Sequence, residues 1–276
     1  MRSIASLIVT FPLSFPGSRS TFSKSQMSKK CIEIEEKFPI HNLDETISKL
    51  NALGFEQFKD TVKFMDWYFD VPNDWLLCRS DCWLRYRHLG WDKEGNDDIR
   101  KGSWQLKKGR RDLTGVSSST TIYEELEGDD AFELIEKMIP KMDLRPKEDA
   151  EMTMDGYRIP ILPRAHVLQP FARIGSFRSS WKHATMWENV VVDLDGTDFG
   201  HAVGEVEVVL DHDGNEEMKQ AQDLIREIIA KLIEDETQNG SAMGKLETYL
   251  IAKKPEVYKA CVESGTMKTR NSETST

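Results

Sequence analysis

The sequence lacks any apolar run long enough to cross a membrane as a helix, which requires about 20 consecutive apolar residues. It is also short of positive charge, because 37 lysines and arginines stand against 47 aspartates and glutamates, for a formal net charge of -10. General nucleic-acid binders need a basic surface to neutralise phosphates. We therefore expect neither a membrane protein nor a nucleic-acid-binding protein, although this balance still allows a local basic pocket.

Cysteine is scarce as well, with 4 residues in a chain of 276. Cys78 and Cys82 are separated by three residues, but no second pair follows to complete a zinc-binding set. Scattered thiols are typical of proteins from reducing compartments. These observations predict a cytoplasmic protein without a zinc finger.

The first thirty residues contain no acidic side chain and many serines. Their composition resembles a mitochondrial transit peptide, the segment 4–15 is similar to a short secretory signal core, and Met27 offers a second start. Among these readings we favour a disordered extension over residues 1–27, with mitochondrial import less favoured. The polar residues 266–276 are predicted to form a disordered tail, which leaves one domain at 28–265.

What the sequence does contain is a strand pattern at residues 31–38. Successive side chains of a strand point to opposite faces, so this segment has one apolar face and one largely ionic face. The ionic face carries Glu33, Glu35 and Lys37. Alone, such a strand is typical of a half-solvated antiparallel sheet.

Similar alternation recurs along the chain, and several segments again carry charge on one face. The segments are 61–70, 83–87, 104–107, 121–127, 172–187, 189–194 and 204–210. The ionisable side chains that they bring include Arg85, Arg87, Lys107, Glu125, Arg178, Asp193, Glu205 and Glu207. Trp83 shares a face with Arg85 and Arg87. Two neighbouring guanidiniums on one face repel unless an anion or carboxylates lie opposite.

Amphipathic helices are predicted between the strands. The first begins at Asn42, whose side chain is expected to cap it, and it stops before Gly54. A long helix at 216–236 has apolar residues at helical spacing, and a last helical region carries Lys245.

If the strands close into a barrel, either their apolar or their ionic faces must point inward. Apolar faces inside would give an ordinary filled barrel, and ionic faces inside would give a wet tunnel. The amphipathic helices favour the tunnel, since each needs an apolar surface on which to pack. A lining of both carboxylates and cations suggests a polyphosphate that chelates a divalent cation. Mg²⁺ prefers oxygen ligands, and arginine binds phosphoryl oxygens in a bidentate manner.

Seven short motifs, taken in order, resemble one known family. The motifs are IEIEEKF, DCWLRYR, WQLK, YEEL, FRSSWK, VDLDGTDFGHAVGEVE and KLETYL. This set resembles the CYTH superfamily, also called triphosphate tunnel metalloenzymes, and within it is most similar to the animal thiamine-triphosphatases. The similarity runs from about Ser28 to Gly265. The loop from Leu89 to Ser103 is longer than this resemblance leads us to expect.

The resemblance implies an α+β fold, in which a closed eight-stranded antiparallel β-barrel forms a triphosphate tunnel with helices packed on the outside. It also implies Mg²⁺-dependent hydrolysis of a small-molecule substrate, thiamine triphosphate, to thiamine diphosphate and phosphate. We expect the chain to act as a monomer.

The resemblance further implies a role for individual residues, carried over position by position. The implied metal ligands are Glu33, Glu35, Asp193, Glu205 and Glu207. The implied substrate-binding residues are Lys37, Arg85, Arg87, Lys107, Arg178, Lys245 and Trp83. The implied catalytic residues are Glu33, Glu35, Lys37 and Glu125. Trp83 would stack on the thiazolium ring in a cation–π contact.

Other interpretations of the same residues stay open. A less selective enzyme acting on inorganic or nucleoside triphosphates would use the same cationic lining. A class IV adenylate cyclase would share the tunnel, although the closer motifs disfavour it. A non-catalytic polyphosphate-binding module would not need five carboxylates. Taken singly, Trp83 is compatible with a core aromatic, Lys245 with a solvated residue, and Asp193 with a turn contact.

Overall fold

The computed structural model describes the chain at residues 31–90, 102–110, 120–139, 151–154, 157–160, 162, 167–187, 189–233 and 242–270. The predicted N-terminal extension and most of the long loop before Ser103 lie outside these ranges. The strands are β1 (Cys31–Pro39), β2 (Phe55–Gln57), β3 (Val62–Asp70), β4 (Cys82–Leu89), β5 (Ser103–Gly109), β6 (Thr120–Glu127), β7 (Glu151–Met154), β8 (Tyr157–Pro160), β9 (Gln169–His183), β10 (Val190–Thr197) and β11 (Ala202–Leu210). The helices are α1 (Leu43–Ala52), α2 (Leu76–Arg79), α3 (Gly128–Met138), α4 (Asn215–Leu232), α5 (Lys245–Lys253) and α6 (Pro255–Glu263). Among these described helices, none combines the length and the hydropathy that a membrane span requires.

Eight of the strands form a closed antiparallel barrel. Their order is β10-β11-β1-β6-β5-β4-β3-β9, and β9 pairs back with β10 to complete the ring. The 15-residue strand β9 is long enough to pair with β3, with β10 and with the short strand β2. Strands β7 and β8 form a separate hairpin. The predicted closed eight-stranded barrel with helices outside is confirmed.

The apolar faces of the barrel strands point outward, and helices cover them. Ile34 of β1 packs in one apolar cluster with Ile225 of α4. Leu106 of β5 packs in another with Phe132 of α3. All four side chains are at most 1% exposed, and burying a side chain of this size stabilises a fold by roughly 1.5–3 kcal/mol. The ionic faces consequently point inward, which is the tunnel arrangement.

Local signals fix the ends of α1 as predicted. Asn42 Oδ1 accepts a hydrogen bond from the backbone N–H of Glu45 at 3.2 Å, as an N-cap should. Gly54 follows the helix with a φ of +85°. A Cβ at this position would lie 2.8 Å from Nε2 of His183, so both the backbone conformation and the close contact favour glycine.

The C-terminal third differs from the prediction in two helices. The long helix α4 ends at Leu232, because the backbone of Ile233 is extended, and the last residues of the predicted helix, 234–236, lie outside the described residues. Helix α6 was not expected, although Pro255 in its first turn is a helix-start signal. Its inner face is buried at Val257 and Cys261, which lie four residues apart on one side of the helix.

The predicted start of a disordered tail at residue 266 is too early. Met267 packs against the apolar cluster that contains Val257. Arg270 Nε donates a hydrogen bond to Glu247 Oε1 at 2.9 Å, and Tyr258 donates from its hydroxyl to the carbonyl of Lys268 at 2.8 Å. The chain therefore stays in contact with the domain as far as Arg270. The polar composition of this segment gives no indication of these contacts.

Candidate active site

The interior of the barrel is a cavity of about 430 Å³, a volume typical of small-molecule sites. Twelve of the thirteen predicted site residues line it, namely Glu33, Glu35, Lys37, Trp83, Arg85, Arg87, Lys107, Glu125, Arg178, Glu205, Glu207 and Lys245. The thirteenth, Asp193, is buried behind Arg178 and is not among the described residues that line the cavity. The barrel thus gathers side chains from β1, β4, β5, β6, β9, β11 and α5 in one space.

Three carboxylates form a cluster on one side of the cavity. Glu33, Glu205 and Glu207 each place one oxygen within 4.8 Å of the others. Within the described part of the chain, Glu33 Oε2 and Glu205 Oε1 are buried without a hydrogen bond, and the ammonium of Lys37 lies 3.5 Å from Glu205 Oε1. Burial and the charges of Glu205 and Asp193 raise the pKa of Glu207 to about 7. Burial also raises the pKa of Glu33.

The sheet register places like charges directly opposite each other in this region. Glu35 of β1 faces Glu207 of β11, and Asp193 of β10 faces Glu205 of β11. Carboxylates opposed in this way are destabilising without a counter-charge. Buried oxygens without hydrogen bonds and an all-carboxylate donor set fit a hard divalent cation such as Mg²⁺. Glu33, Glu205 and Glu207 are therefore suited to hold such an ion.

Two predicted metal ligands, Glu35 and Asp193, lie outside this cluster. Glu35 forms ion pairs with Lys37 and with Lys107, the latter at 3.0 Å. Burial opposes ionisation of Glu35, but the two lysines lower its pKa well below its usual value. Asp193 accepts a hydrogen bond from Ser180 Oγ at 2.6 Å and pairs with Arg178 Nη1 at 2.5 Å. Both carboxylates hold cations in place.

Two buried aspartates fix two arginines of the cavity. Arg87 donates from Nε and Nη2 to the two oxygens of Asp66, each at 2.7 Å. Arg178 donates likewise to Asp195, at 2.8 and 2.6 Å. Burial opposes ionisation of Asp66, yet Arg87 and its neighbours lower the pKa to about 2. The bidentate pairs orient both guanidiniums at the cavity, and Arg178 also pairs through Nη1 with Asp193.

Lys245 enters the cavity from the first turn of α5. Its Nζ lies 2.6 Å from Asp195 Oδ2, and its side chain is 12% exposed. Burial lowers its pKa to about 8, with the charge of Arg178 acting in the same direction and Asp195 opposing it. The solvated-residue interpretation of Lys245 is therefore wrong. The preceding Gly244 leaves room for Lys37, because a Cβ there would lie 3.2 Å from Cε of that lysine.

Lys107 contacts Glu33 of the carboxylate cluster and also two carboxylates outside that cluster. Its Nζ lies 2.7 Å from Glu33 Oε1, 3.0 Å from Glu35 Oε2 and 3.4 Å from Glu125 Oε1. Burial opposes its charge, but these carboxylates raise its pKa well above the usual value. Lys107 therefore stays protonated between the carboxylate cluster and Glu125.

A family comparison agrees with this geometry. The CYTH domain profile matches residues 31–239. The chain belongs to the CYTH domain family. The chain is 27% identical over 254 residues to a thiamine-triphosphatase of Homo sapiens. This alignment covers 90% of this chain and 96% of that protein. A thiamine-triphosphatase of Macaca fascicularis is 26% identical, with 88% and 95% covered.

Solved structures also resemble this CYTH domain. A Hippeastrum protein described as having a dominant triphosphatase activity is 16% identical, with 81% of this chain and 96% of that chain covered and a TM-score of 0.45.

Trp83 lies in the wall of the CYTH cavity and also in an apolar cluster with Tyr68 and Phe171. It is 9% exposed, and its Nε1 donates to Asp81 Oδ1 at 3.1 Å. The core and cavity interpretations of Trp83 therefore both hold. Most of its surface packs in the core, and only the small exposed fraction is available to a ligand.

Several residues of this CYTH site were missed by reasoning from sequence. Asp66 and Asp195 anchor the arginines, and the described segment that ends at Arg270 adds to the cavity wall. Alternation in β3 places Asp66 on the inner face, which is a usable signal. Asp195 lies inside β10, as does Asp193, so both are strand residues and the turn interpretation of Asp193 does not hold.

Proposed function

We propose that this CYTH domain hydrolyses the terminal phosphoanhydride bond of thiamine triphosphate, with Mg²⁺, to give thiamine diphosphate and phosphate. The observation that carries the proposal is a cavity whose walls hold a carboxylate cluster, a tryptophan and eight cationic side chains, among them all six predicted ones. Family membership and relatives named thiamine-triphosphatase support it. We further propose a cytoplasmic monomer, for which the four free thiols are suited.

The cations suit a triphosphate chain. Arginine presents a planar fork that binds two phosphoryl oxygens, and lysine supplies a compact charge. In the proposed complex, Arg85, Arg87 and Arg178 would bind along one side of the chain. Lys37, Lys107 and Lys245 would complete the contacts. Because the site is preorganised by buried carboxylates, little reorganisation accompanies binding.

A bound Mg²⁺ would neutralise phosphate charge and orient the terminal phosphoryl group. Glu33, Glu205 and Glu207 would hold it. Glu35 and Asp193 would act instead on Lys37, Lys107 and Arg178, with which they already pair.

Hydrolysis then requires positioning and charge stabilisation more than covalent chemistry by the protein. A water oxygen would bond to the terminal phosphorus while the bond from that phosphorus to its bridging oxygen breaks. The bridging oxygen leaves with the diphosphate, whose developing charge the arginines and Lys107 would stabilise. The proton of the water would pass to a carboxylate of the cavity.

Trp83 would distinguish the organic end of the substrate. The thiazolium ring of thiamine is a cation, and tryptophan is the strongest aromatic partner for a cation, at about 0.5–2 kcal/mol. A general triphosphatase would not depend on this ring. The notable alternative is therefore an enzyme with the same cations and no preference for thiamine.

The test is phosphate release by the full chain with Mg²⁺ from thiamine triphosphate, inorganic triphosphate and ATP in parallel. We expect a preference for thiamine triphosphate. Trp83→Leu should weaken this preference by raising KM for thiamine triphosphate about 2- to 30-fold. Trp75→Leu is the control, because Trp75 packs on the same apolar cluster but is not among the described residues that line the cavity. Equal turnover of all three substrates would instead indicate a broad triphosphatase.

A binding module without activity is separated by a further variant. Glu35→Gln would abolish metal-dependent turnover in a hydrolase, because it alters the lysines that face the phosphates. A pure anion-binding module would keep or gain affinity for inorganic triphosphate, since one negative charge is removed.

A further inference from the structure

Phe64 of β3 is a buried aromatic ring surrounded by cations. The ring centroid lies 4.0 Å from Cζ of Arg87, 4.9 Å from Nζ of Lys245 and 5.6 Å from Cζ of Arg178. These three cations come from β4, α5 and β9, and Phe64 is 2% exposed. One ring thus contacts side chains from three separate elements.

Ordinary core packing does not account for this position. The neighbouring residues Met65, Trp67 and Phe69 belong to an apolar cluster outside the barrel. Phe64 belongs to none of the three apolar clusters that the described residues form. Alternation turns Phe64 to the interior together with Asp66, which is a polar environment. A phenyl ring placed there must be explained by its charged neighbours.

The carboxylates hold the arginines only in the plane of their hydrogen bonds. Asp66 and Asp195 accept along the edges of Arg87 and Arg178. The flat faces of a guanidinium make no hydrogen bonds, are weakly hydrated and stack well on aromatic rings. The negative face of a ring therefore supplies the direction of support that the carboxylates lack.

We propose that Phe64 is a positioning residue that holds Arg87, Arg178 and Lys245 at the mutual spacing that a triphosphate bridges. It acts through these cations, since it is not among the described residues that line the cavity. This role rests on the proposed function only in that the three cations bind triphosphate. It does not require that the bound triphosphate be hydrolysed.

A fluorinated series tests this role with little change of shape. Phenylalanine carrying one, two or three ring fluorines is placed at position 64, and the Kd of inorganic triphosphate with Mg²⁺ is measured by calorimetry. Fluorine weakens the negative face of the ring, so we expect Kd to rise stepwise, by about 2- to 30-fold for the trifluoro ring. The matched control is the same series at Phe132, which is equally buried but packs against Trp104 in an apolar cluster.

Substitutions of Phe64 by natural amino acids give a second test of this role. Phe64→Leu should raise Kd and KM for triphosphate, whereas Phe64→Tyr, which keeps the ring, should restore most of the affinity. The role would be overturned by a Kd that does not change with fluorination, or by a Tyr variant whose affinity is no higher than that of the Leu variant. Phe64 would then serve only to fill the space between its neighbours. No triphosphate binding by the wild-type chain would overturn it too.

The two proposals fail in different ways. Fluorine-dependent binding without phosphate release would contradict the hydrolase and leave the role of Phe64 intact. Phosphate release with fluorine-independent binding would do the reverse.

Discussion

Arg178 and Asp195 face each other across neighbouring strands and are joined by two hydrogen bonds, of 2.8 and 2.6 Å. The same carboxylate accepts from Lys245 at 2.6 Å. One buried aspartate therefore sets the position of two cations of the cavity. Removal of its charge should therefore weaken anion binding and also destabilise the fold.

Asp195→Asn should raise KM for the triphosphate by about tenfold or more, because both cations lose their anchor. Steady-state kinetics measure it. The matched control is Asp223→Asn on the exposed face of α4, where Asp223 pairs with Arg226 at 2.9 Å. An exposed pair of this kind contributes little, so KM should stay within about twofold. Equal effects of the two variants would argue against an anchoring role.

Glu207→Gln should raise the Mg²⁺ concentration for half-maximal activity by about tenfold or more, because it removes one of three carboxylates of the cluster. The measurement is a metal titration of activity at saturating substrate. Glu56→Gln, at an exposed position of β2, is the control. An unchanged metal requirement in the Glu207 variant would place the ion elsewhere.

Triphosphate affinity should fall as pH rises above about 8. The pKa of Lys245 is lowered to about 8 by burial, so its ammonium is charged below that pH and neutral above it. The Kd of inorganic triphosphate is measured between pH 6.5 and 9.5. Lys245→Met should bind more weakly and lose this alkaline limb. A limb of the same size in the variant would assign it to another group.

Asp66 should stabilise the fold at neutral pH and not in acid. Its pKa of about 2 in the folded chain lies below the unfolded value of 3.8. The contribution is therefore fully present above about pH 4 and is lost as pH falls towards 2, by about 2 kcal/mol in total. Urea unfolding of wild type and Asp66→Asn tests this. The difference in unfolding free energy should shrink between pH 7 and pH 3, and a constant difference would contradict it.

Alternation in single strands was enough to predict much of the site. Glu33, Glu35 and Lys37 share the inner face of β1, and Ile34 of the same strand packs outside. These follow from a period of two, which a sequence displays directly. Closure of the barrel needed the family resemblance, because alternation does not say which strands pair.

The anchoring pairs depend on register, which the sequence does not display. Asp66 faces Arg87, and Asp195 faces Arg178, only because β3 pairs with β4 and β9 with β10 in one alignment. A shift of one residue would turn each aspartate to the other face. The same limit applies to the ion pairs of Glu35. Its two lysine partners become clear only in three dimensions.

The most direct test of the account follows thiamine triphosphate with the full chain and Mg²⁺ by ³¹P NMR in ¹⁸O-labelled water. The account predicts thiamine diphosphate and inorganic phosphate in equal amounts, with one ¹⁸O atom in the released phosphate and none in the diphosphate. Release of diphosphate with thiamine monophosphate, label in the diphosphate, or an unchanged substrate at saturating metal would contradict it.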